Sequence, residues 1–134
     1  MERVAAFLFA VALLGGAASV SAADDTIRTC ALTKAFECTS EGGCREWSIR
    51  EMALPRFFRI DLKARTITSL DKNVPRAPTI ITAIDHPEGM IVLHGAEKRG
   101  WSMTLGEDTG TLTLSATDPE AGFVVFGSCL NPPD

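Results

Sequence analysis

The sequence lacks the features that mark several common classes of protein. It contains no cluster of Lys or Arg, and its formal net charge is −4, so neither nucleic acid nor an anionic membrane surface is an expected partner. Beyond residue 22, no apolar run is long enough to span a bilayer. We therefore expect no stable membrane anchor once the N-terminal segment has been removed.

The sequence also lacks the patterns that support catalysis. It has no Gly-x-Ser-x-Gly motif, its serines fall in predicted strands or turns, and its cysteines are expected to be oxidised. A glycosidase would need paired carboxylates in a cleft. Here they are spread over predicted turns, at Asp85, Glu88, Glu97, Glu107, Asp108, Asp118 and Glu120. We therefore predict a protein that is not an enzyme and has neither catalytic residues nor a cofactor.

The N-terminus has the composition of a signal peptide. Arg3 precedes an unbroken apolar stretch over residues 4–14, and Val20-Ser21-Ala22 supplies the small residues of a cleavage site. A retained membrane anchor is the rival interpretation, but the stretch is short and lacks a strongly basic flank. We predict a signal peptide over residues 1–22, a single β domain over residues 23–134, and a periplasmic or secreted location in a Gram-negative bacterium.

All four cysteines follow the predicted cleavage site, at Cys30, Cys38, Cys44 and Cys129. An even number of cysteines behind a signal peptide is typical of disulfides, whereas a zinc site would need closer pairs or neighbouring histidines. Of the three possible connectivities we favour Cys38–Cys44 across a small loop and Cys30–Cys129 between the first and last strands. The long-range bridge should stabilise the fold by about 4 kcal/mol in the loop-closure model.

Residues 90–129 alternate apolar and polar side chains between tight turns, which indicates an antiparallel sheet with one buried face. Asp108-Thr109-Gly110 is typical of a turn with glycine in a left-handed position. The turns predict a single set of apolar residues on the inner face. The expected cross-strand pairs are His94–Trp101, Val92–Met103, Met90–Leu105, Leu105–Leu112, Met103–Leu114, Trp101–Ala116, Ala116–Phe123, Leu114–Val125 and Leu112–Gly127.

This register leaves several apolar residues on the outer face. Either the segment over residues 38–55 covers them, or they form an exposed apolar patch. The residues concerned are Ile84, Ile91, Leu93, Val124 and Phe126.

Residues 57–68 predict a further hairpin, in which a short connection at Lys63-Ala64 places Ile60 opposite Ile67. Residues 45–54 fit a short helical turn and an extended segment equally well, and Pro55 ends any helix there. The whole chain has about eight predicted strands. We predict an all-β fold, a small antiparallel up-and-down meander closed into a disulfide-tied barrel, with a two-layer sandwich as the alternative.

Three side chains are candidates for a ligand or interface contact. His94 and Trp101, expected to face each other on the inner face, form either a packed core pair or a polar anchor at the mouth of an apolar pocket. Trp47, with Arg45 close by in sequence, either caps one end of the barrel or forms the centre of an interface. We predict no metal site, because His86 and His94 should lie about 17 Å apart along the sheet.

A family resemblance rests on four short segments, namely residues 58–62, Gly100-Trp101-Ser102, Asp108-Thr109-Gly110 and Phe126-Gly127-Ser128-Cys129. In them the chain resembles a set of short exported proteobacterial proteins of uncharacterised function. The resemblance implies a periplasmic location and a small β fold, and it transfers no functional residues. Periplasmic inhibitors of lysozymes and proteases are also small disulfide-tied β-barrels, which is an analogy of fold alone.

These observations favour a non-enzymatic periplasmic binding or accessory module that acts on an envelope protein through a protein surface, for example as an inhibitor. The alternative is a lipocalin-like carrier of a small apolar ligand. A hydrolase with an unrecognised site is the third hypothesis. For the carrier, the expected lining residues are Met90, Val92, His94, Trp101, Met103 and Phe123.

Overall fold

The computed structural model describes residues 25–130, which form ten β-strands and no helix. The predicted signal peptide lies outside these residues. Nothing within residues 25–130 provides a helix that could cross a membrane. The strands are β1 (Ile27–Thr39), β2 (Gly43–Trp47), β3 (Phe57–Asp61), β4 (Thr66–Ser69), β5 (Thr79–Ile80), β6 (Ala83–Asp85), β7 (Met90–Ala96), β8 (Gly100–Gly106), β9 (Thr111–Thr117) and β10 (Ala121–Cys129).

The strands form one antiparallel sheet that curls into a half-barrel. Its order is β5-β4-β3-β1-β10-β9-β8-β7-β6, and β2 pairs with β1 beyond the end of β3. Most neighbours in the sheet are also neighbours in sequence, and the pairing of β1 with β10 joins the two halves of the meander. The predicted all-β, antiparallel, disulfide-tied fold is confirmed.

The two ends of this path, β5 and β6, are consecutive along the chain. The residues between them bond to both sides of the half-barrel: the amide of Ile81 donates to the carbonyl of Arg65 at 2.9 Å, and the amide of Thr82 donates to the carbonyl of His94 at 2.8 Å. Ile81 is buried in the core. This short segment therefore forms hydrogen bonds to the residue before β4 on one side and to β7 on the other.

The concave face of the sheet holds one apolar core. Alternation along each strand sends every second side chain into it, and the largest fully buried side chains come from strands on both sides of β1. Burial of such side chains is the main favourable contribution to folding. The core consists of Cys30, Leu32, Ala35, Ile49, Phe58, Ile60, Ile81, Ile91, Leu93, Met103, Leu105, Leu112, Val125 and Cys129.

Both predicted disulfides are present. Cys30 and Cys129 are directly opposite each other on β1 and β10, and their bridge lies inside the core. Cys38 and Cys44 are likewise opposite each other on β1 and β2, at the exposed end of that hairpin. The first bridge spans 99 residues of sequence and the second spans 6.

The predicted register is confirmed for three hairpins. Trp101, Met103 and Leu105 on β8 pair with their predicted partners on β9, and the β9–β10 pairs are also as predicted. Ile60 lies opposite Ile67. Gly110 has a φ of 68°, so it occupies the left-handed position that the turn requires.

The predicted register of β7 is wrong by one residue. His94 pairs with Ser102 and Leu93 pairs with Met103, because the connection contains three residues, Glu97, Lys98 and Arg99, and not two. A slip of one residue exchanges the two faces of a strand. Ile91 and Leu93 are therefore 4% and 0% exposed in the core, whereas Met90, expected inside, is 39% exposed.

The ambiguous segment over residues 45–54 begins as strand β2 and ends as a single hydrogen-bonded turn. The Ser48 hydroxyl accepts a hydrogen bond from the Glu51 amide at 3.1 Å, and the Glu51 carboxylate accepts one from the Ser48 amide at 2.9 Å. This reciprocal pattern is a capping box. No helix follows it, because the amide of Leu54 returns to the carbonyl of Ile49 and Pro55 comes next.

Candidate functional site

A cleft of about 400 Å³ opens at one end of the half-barrel. We call it the mouth cleft. Its floor comes from β1, β3, β4, β8 and β9, one wall comes from the loop after the capping box, and its rim comes from the β4–β5 and β7–β8 connections. The lining residues are Leu32, Met52, Ala53, Leu54, Pro55, Phe58, Ile67, Arg76, Thr79, Glu97, Lys98, Arg99, Trp101, Met103, Leu114 and Ala116.

The floor of the mouth cleft is apolar because the inner faces of the strands reach it. Trp101 lies opposite Gly95 on β7 and Ala116 on β9. Its ring occupies the space beside Gly95, where a Cβ atom would come within 2.4 Å of the indole. One large side chain between two small ones leaves open volume in front of the ring. The inner face is thus filled in the centre and hollow at this end.

The wall of the mouth cleft is the loop over residues 52–55. The capping box at Ser48 and Glu51 fixes where this loop starts, and the hydrogen bonds that Glu51 accepts from Ser48 lower the pKa of its carboxyl group. Ala53 has a φ of 52°, a backbone conformation that a residue with a Cβ atom rarely adopts. Such residues cluster at binding sites, where the surrounding structure holds them in place.

The rim of the mouth cleft is charged. Arg76 donates to the Glu97 carboxylate at 2.8 Å, and the Thr79 hydroxyl donates to the same carboxylate at 2.7 Å. Because Arg76 and Thr79 lie on one side of the cleft and Glu97 lies in the β7–β8 turn, these bonds connect the two sides of the rim. Lys98 follows in the same turn and is exposed.

Arg99 completes the rim and is held on two sides. Its guanidinium donates to the Asp118 carboxylate at 2.7 Å, and it lies 4.5 Å from the centre of the Phe123 ring. Asp118 also accepts hydrogen bonds from the amides of Glu120 and Ala121, and these bonds, more than the contact with Arg99, lower its pKa. Arg99 is therefore fixed beside the floor by an ion pair and an aromatic face.

Of the three predicted contact residues, the structure places only Trp101 in the mouth cleft. The expected contact between His94 and Trp101 is wrong, since His94 lies on the outer face and its Nε2 is 3.1 Å from Asp85 Oδ2. Trp47 lies opposite Ala35 on the inner side of β2, with the Arg45 guanidinium 4.0 Å from the centre of its ring. It does not line the cleft.

The expected lining of the carrier hypothesis changes accordingly. Trp101 and Met103 line the mouth cleft, whereas Met90, Val92 and His94 lie on the outer face of β7 because of the shifted register. Sequence reasoning missed the rim cations and the loop wall. The consecutive charged residues Glu97-Lys98-Arg99, close to Trp101 in sequence, are the signal that could indicate the rim. The alternation of apolar and polar residues assigns the two faces of a strand, but it does not show which loops meet in the fold.

No cluster of three or more His, Cys, Asp or Glu side chains suited to a metal ion occurs within residues 25–130. Comparison with known proteins adds no relative: no family model matches the chain, and no curated protein or solved structure matches it significantly. The resemblance to short exported proteobacterial proteins stays a prediction. The functional proposal for this protein therefore rests on its own geometry.

Proposed function

We propose that this protein is a non-enzymatic binding module that holds an apolar group of its ligand in the mouth cleft. The observation that carries the proposal is the cleft itself, which has a volume of about 400 Å³ and an apolar floor that borders the packed core. Ligand sites typically have volumes of about 300–1,000 Å³, with an apolar lining and a few polar groups at defined places.

The side chains of the mouth cleft favour binding over catalysis. The lining contains one hydroxyl group, that of Thr79, and it donates to Glu97. Glu97 is in turn paired with Arg76. A nucleophile needs an adjacent base, whereas here the Thr79 hydroxyl and the Glu97 carboxylate both take part in the bonds between the two sides of the rim. We interpret these groups as the bonds that hold the two sides of the rim together.

The compartment that we propose for this function is the periplasm or the medium, reached through the predicted signal peptide. Two disulfides and no free cysteine among residues 25–130 are compatible with an oxidising environment. The exposed Cys38–Cys44 bridge in particular would meet the reductants of a cytosol.

Titration with octanol, followed by the two indole N–H signals in a heteronuclear NMR spectrum, tests the binding function. The Trp101 signal should shift in a saturable way and the Trp47 signal should not, because only Trp101 lines the cleft. Ala116→Leu should fill the hollow and abolish the shift. Ser115→Leu, one residue away on the exposed outer face, is the matched control. Equal shifts of both indoles, or none, would contradict the proposal.

The surface-acting module remains a second candidate, favoured by an apolar cluster on the outer face. Phe36 and Phe126 pack edge to face with their ring centres 6.2 Å apart, and Phe126 is 40% exposed. Exposed aromatic side chains of this kind are common at protein interfaces. For this candidate, Phe126→Ser should abolish capture of a stoichiometric partner from envelope extract, while Ala116→Leu should leave capture intact. The reverse pattern would favour the mouth cleft.

A further inference from the structure

The rim of the mouth cleft carries more positive than negative charge. Its charged lining residues are three cations, Arg76, Lys98 and Arg99, and one anion, Glu97. Asp118, which is paired with Arg99, reduces this excess to one positive charge, and its sign is opposite to the formal charge of −4 of the whole chain. A local field of this kind attracts an anionic ligand to the entrance of an apolar hollow.

Two of the three cations are already neutralised within the protein. Arg76 is paired with Glu97 at 2.8 Å, and Arg99 is paired with Asp118 at 2.7 Å. Among residues 25–130, Lys98 forms no ion pair. It lies at the middle of the three-residue turn between β7 and β8, at the edge of the apolar floor. Lys98 is therefore the rim cation left to meet a ligand.

The apolar floor and the positively charged rim together indicate the chemical class of the ligand. We infer that the mouth cleft binds an aliphatic monocarboxylate, with its hydrocarbon chain on the floor beside Trp101 and Met103 and its carboxylate at the Lys98 ammonium. This inference rests on the binding function proposed above. A single flexible ammonium suits one negative charge. A phosphate group would be better served by an arginine fork, and both rim arginines are held by carboxylates.

The hydrophobic and ionic parts of this site have separable consequences. The hydrocarbon chain of the ligand contributes to affinity because its apolar area is removed from water. An uncharged alcohol of equal length would make the same contribution. The carboxylate adds a charge-assisted contact with Lys98, which the alcohol cannot make. An alkylammonium ion of the same length would bring its charge against that of Lys98. Affinity should therefore fall in the order octanoate, octanol, octylammonium.

Isothermal titration of the exported protein, with both disulfides formed, tests the order directly. We expect octanoate to bind about tenfold more tightly than octanol, and the difference to shrink as salt is added. Lys98→Gln should bring octanoate down to the affinity of octanol and leave octanol unchanged. Lys63→Gln, at an exposed lysine that does not line the cleft, should change neither.

The outcomes distinguish the two proposals. If octanol binds as tightly as octanoate, or if Lys98→Gln leaves octanoate binding intact, the mouth cleft is a binding site without selection for an anion, and the inference is wrong. If none of the three molecules binds, the proposed binding function is wrong and the inference falls with it. Loss of octanoate binding in both lysine variants would mean that the carboxylate responds to the overall charge of the protein and not to Lys98 in particular. That result would also contradict the proposed role of Lys98.

Discussion

The two ends of the half-barrel are built from the same strands but are filled differently. At the closed end, Leu105 lies between Ile91 and Leu112, and the Cys30–Cys129 bridge lies in the same core. At the open end, Trp101 lies between Gly95 and Ala116, and the space that larger residues would fill is the mouth cleft. One strand, β8, therefore contributes a buried core side chain at one end and part of the lining of the mouth cleft at the other.

The largest expected effect concerns the bridge of the closed end. Removing it as Cys30→Ser with Cys129→Ser should lower the free energy of unfolding by about 4 to 5 kcal/mol, because the bridge closes a loop of 99 residues. Removing the exposed bridge as Cys38→Ser with Cys44→Ser should cost only about 2 kcal/mol, since that loop is short. Urea unfolding of the two variants measures both values, and equal losses would contradict the contrast between the bridges.

Packing at the closed end should be the next most sensitive feature. Leu105 is 2% exposed, so Leu105→Ala should lower the free energy of unfolding by about 2–5 kcal/mol through lost burial and the cavity left behind. Thr104→Ala, on the other face of the same strand, should change it by less than about 1 kcal/mol. Denaturant titration checks both values, and octanol binding to folded Leu105→Ala should be unchanged. A loss of binding there would mean that the two ends are not independent.

The contact between Gly95 and Trp101 lies at the open end, and changing it should affect both stability and binding. Gly95→Ala would put a Cβ atom within 2.4 Å of the indole, which must move into the cleft at a cost of about 1–3 kcal/mol. Gly100→Ala is the control, because a Cβ atom there meets nothing within 4 Å. Thermal unfolding and octanol titration should distinguish the two variants. Equal stability and equal octanol affinity would show that the position of the Trp101 indole in the floor is not constrained by Gly95.

The smallest expected effect concerns pH at the open end. Hydrogen bonds from the amides of Glu120 and Ala121, and then Arg99, lower the pKa of Asp118 in the folded protein. The stabilisation is therefore present above the usual aspartate pKa and is lost as the pH falls through the lower, folded pKa. Asp118→Asn should lower stability near neutral pH and flatten its decline toward about pH 3. Unfolding curves across that range check this, and parallel pH profiles would contradict it.

Much of the closed end could be predicted from the sequence. In β8 and β9 one face is apolar and the other is Ser- and Thr-rich, so only one register buries the apolar set. In β7 both faces are apolar, so Met90 and Val92 are as plausible on the inner side as Ile91 and Leu93. The three-residue turn determines which pair is buried, and its length is not evident from composition.

The open end could be predicted only in part. The sequence indicates Trp101 as a candidate contact, but it predicts His94 as the cross-strand partner in place of Gly95. The wall and rim of the mouth cleft depend on loops from distant parts of the sequence, including Ala53, Arg76 and Lys98. No local pattern determines which loops meet across the end of a half-barrel, so the mouth cleft is visible only in three dimensions.

The most direct test of the division between the two ends is a map of backbone amide shifts as octanoate is added to the oxidised protein. We predict saturable shifts in the loop over residues 52–55, in the turn over residues 97–99 and at Trp101, with the amides around Leu105 and Leu112 unchanged. Shifts centred on the outer cluster of Phe36 and Phe126, or no saturable shift at all, would contradict the account.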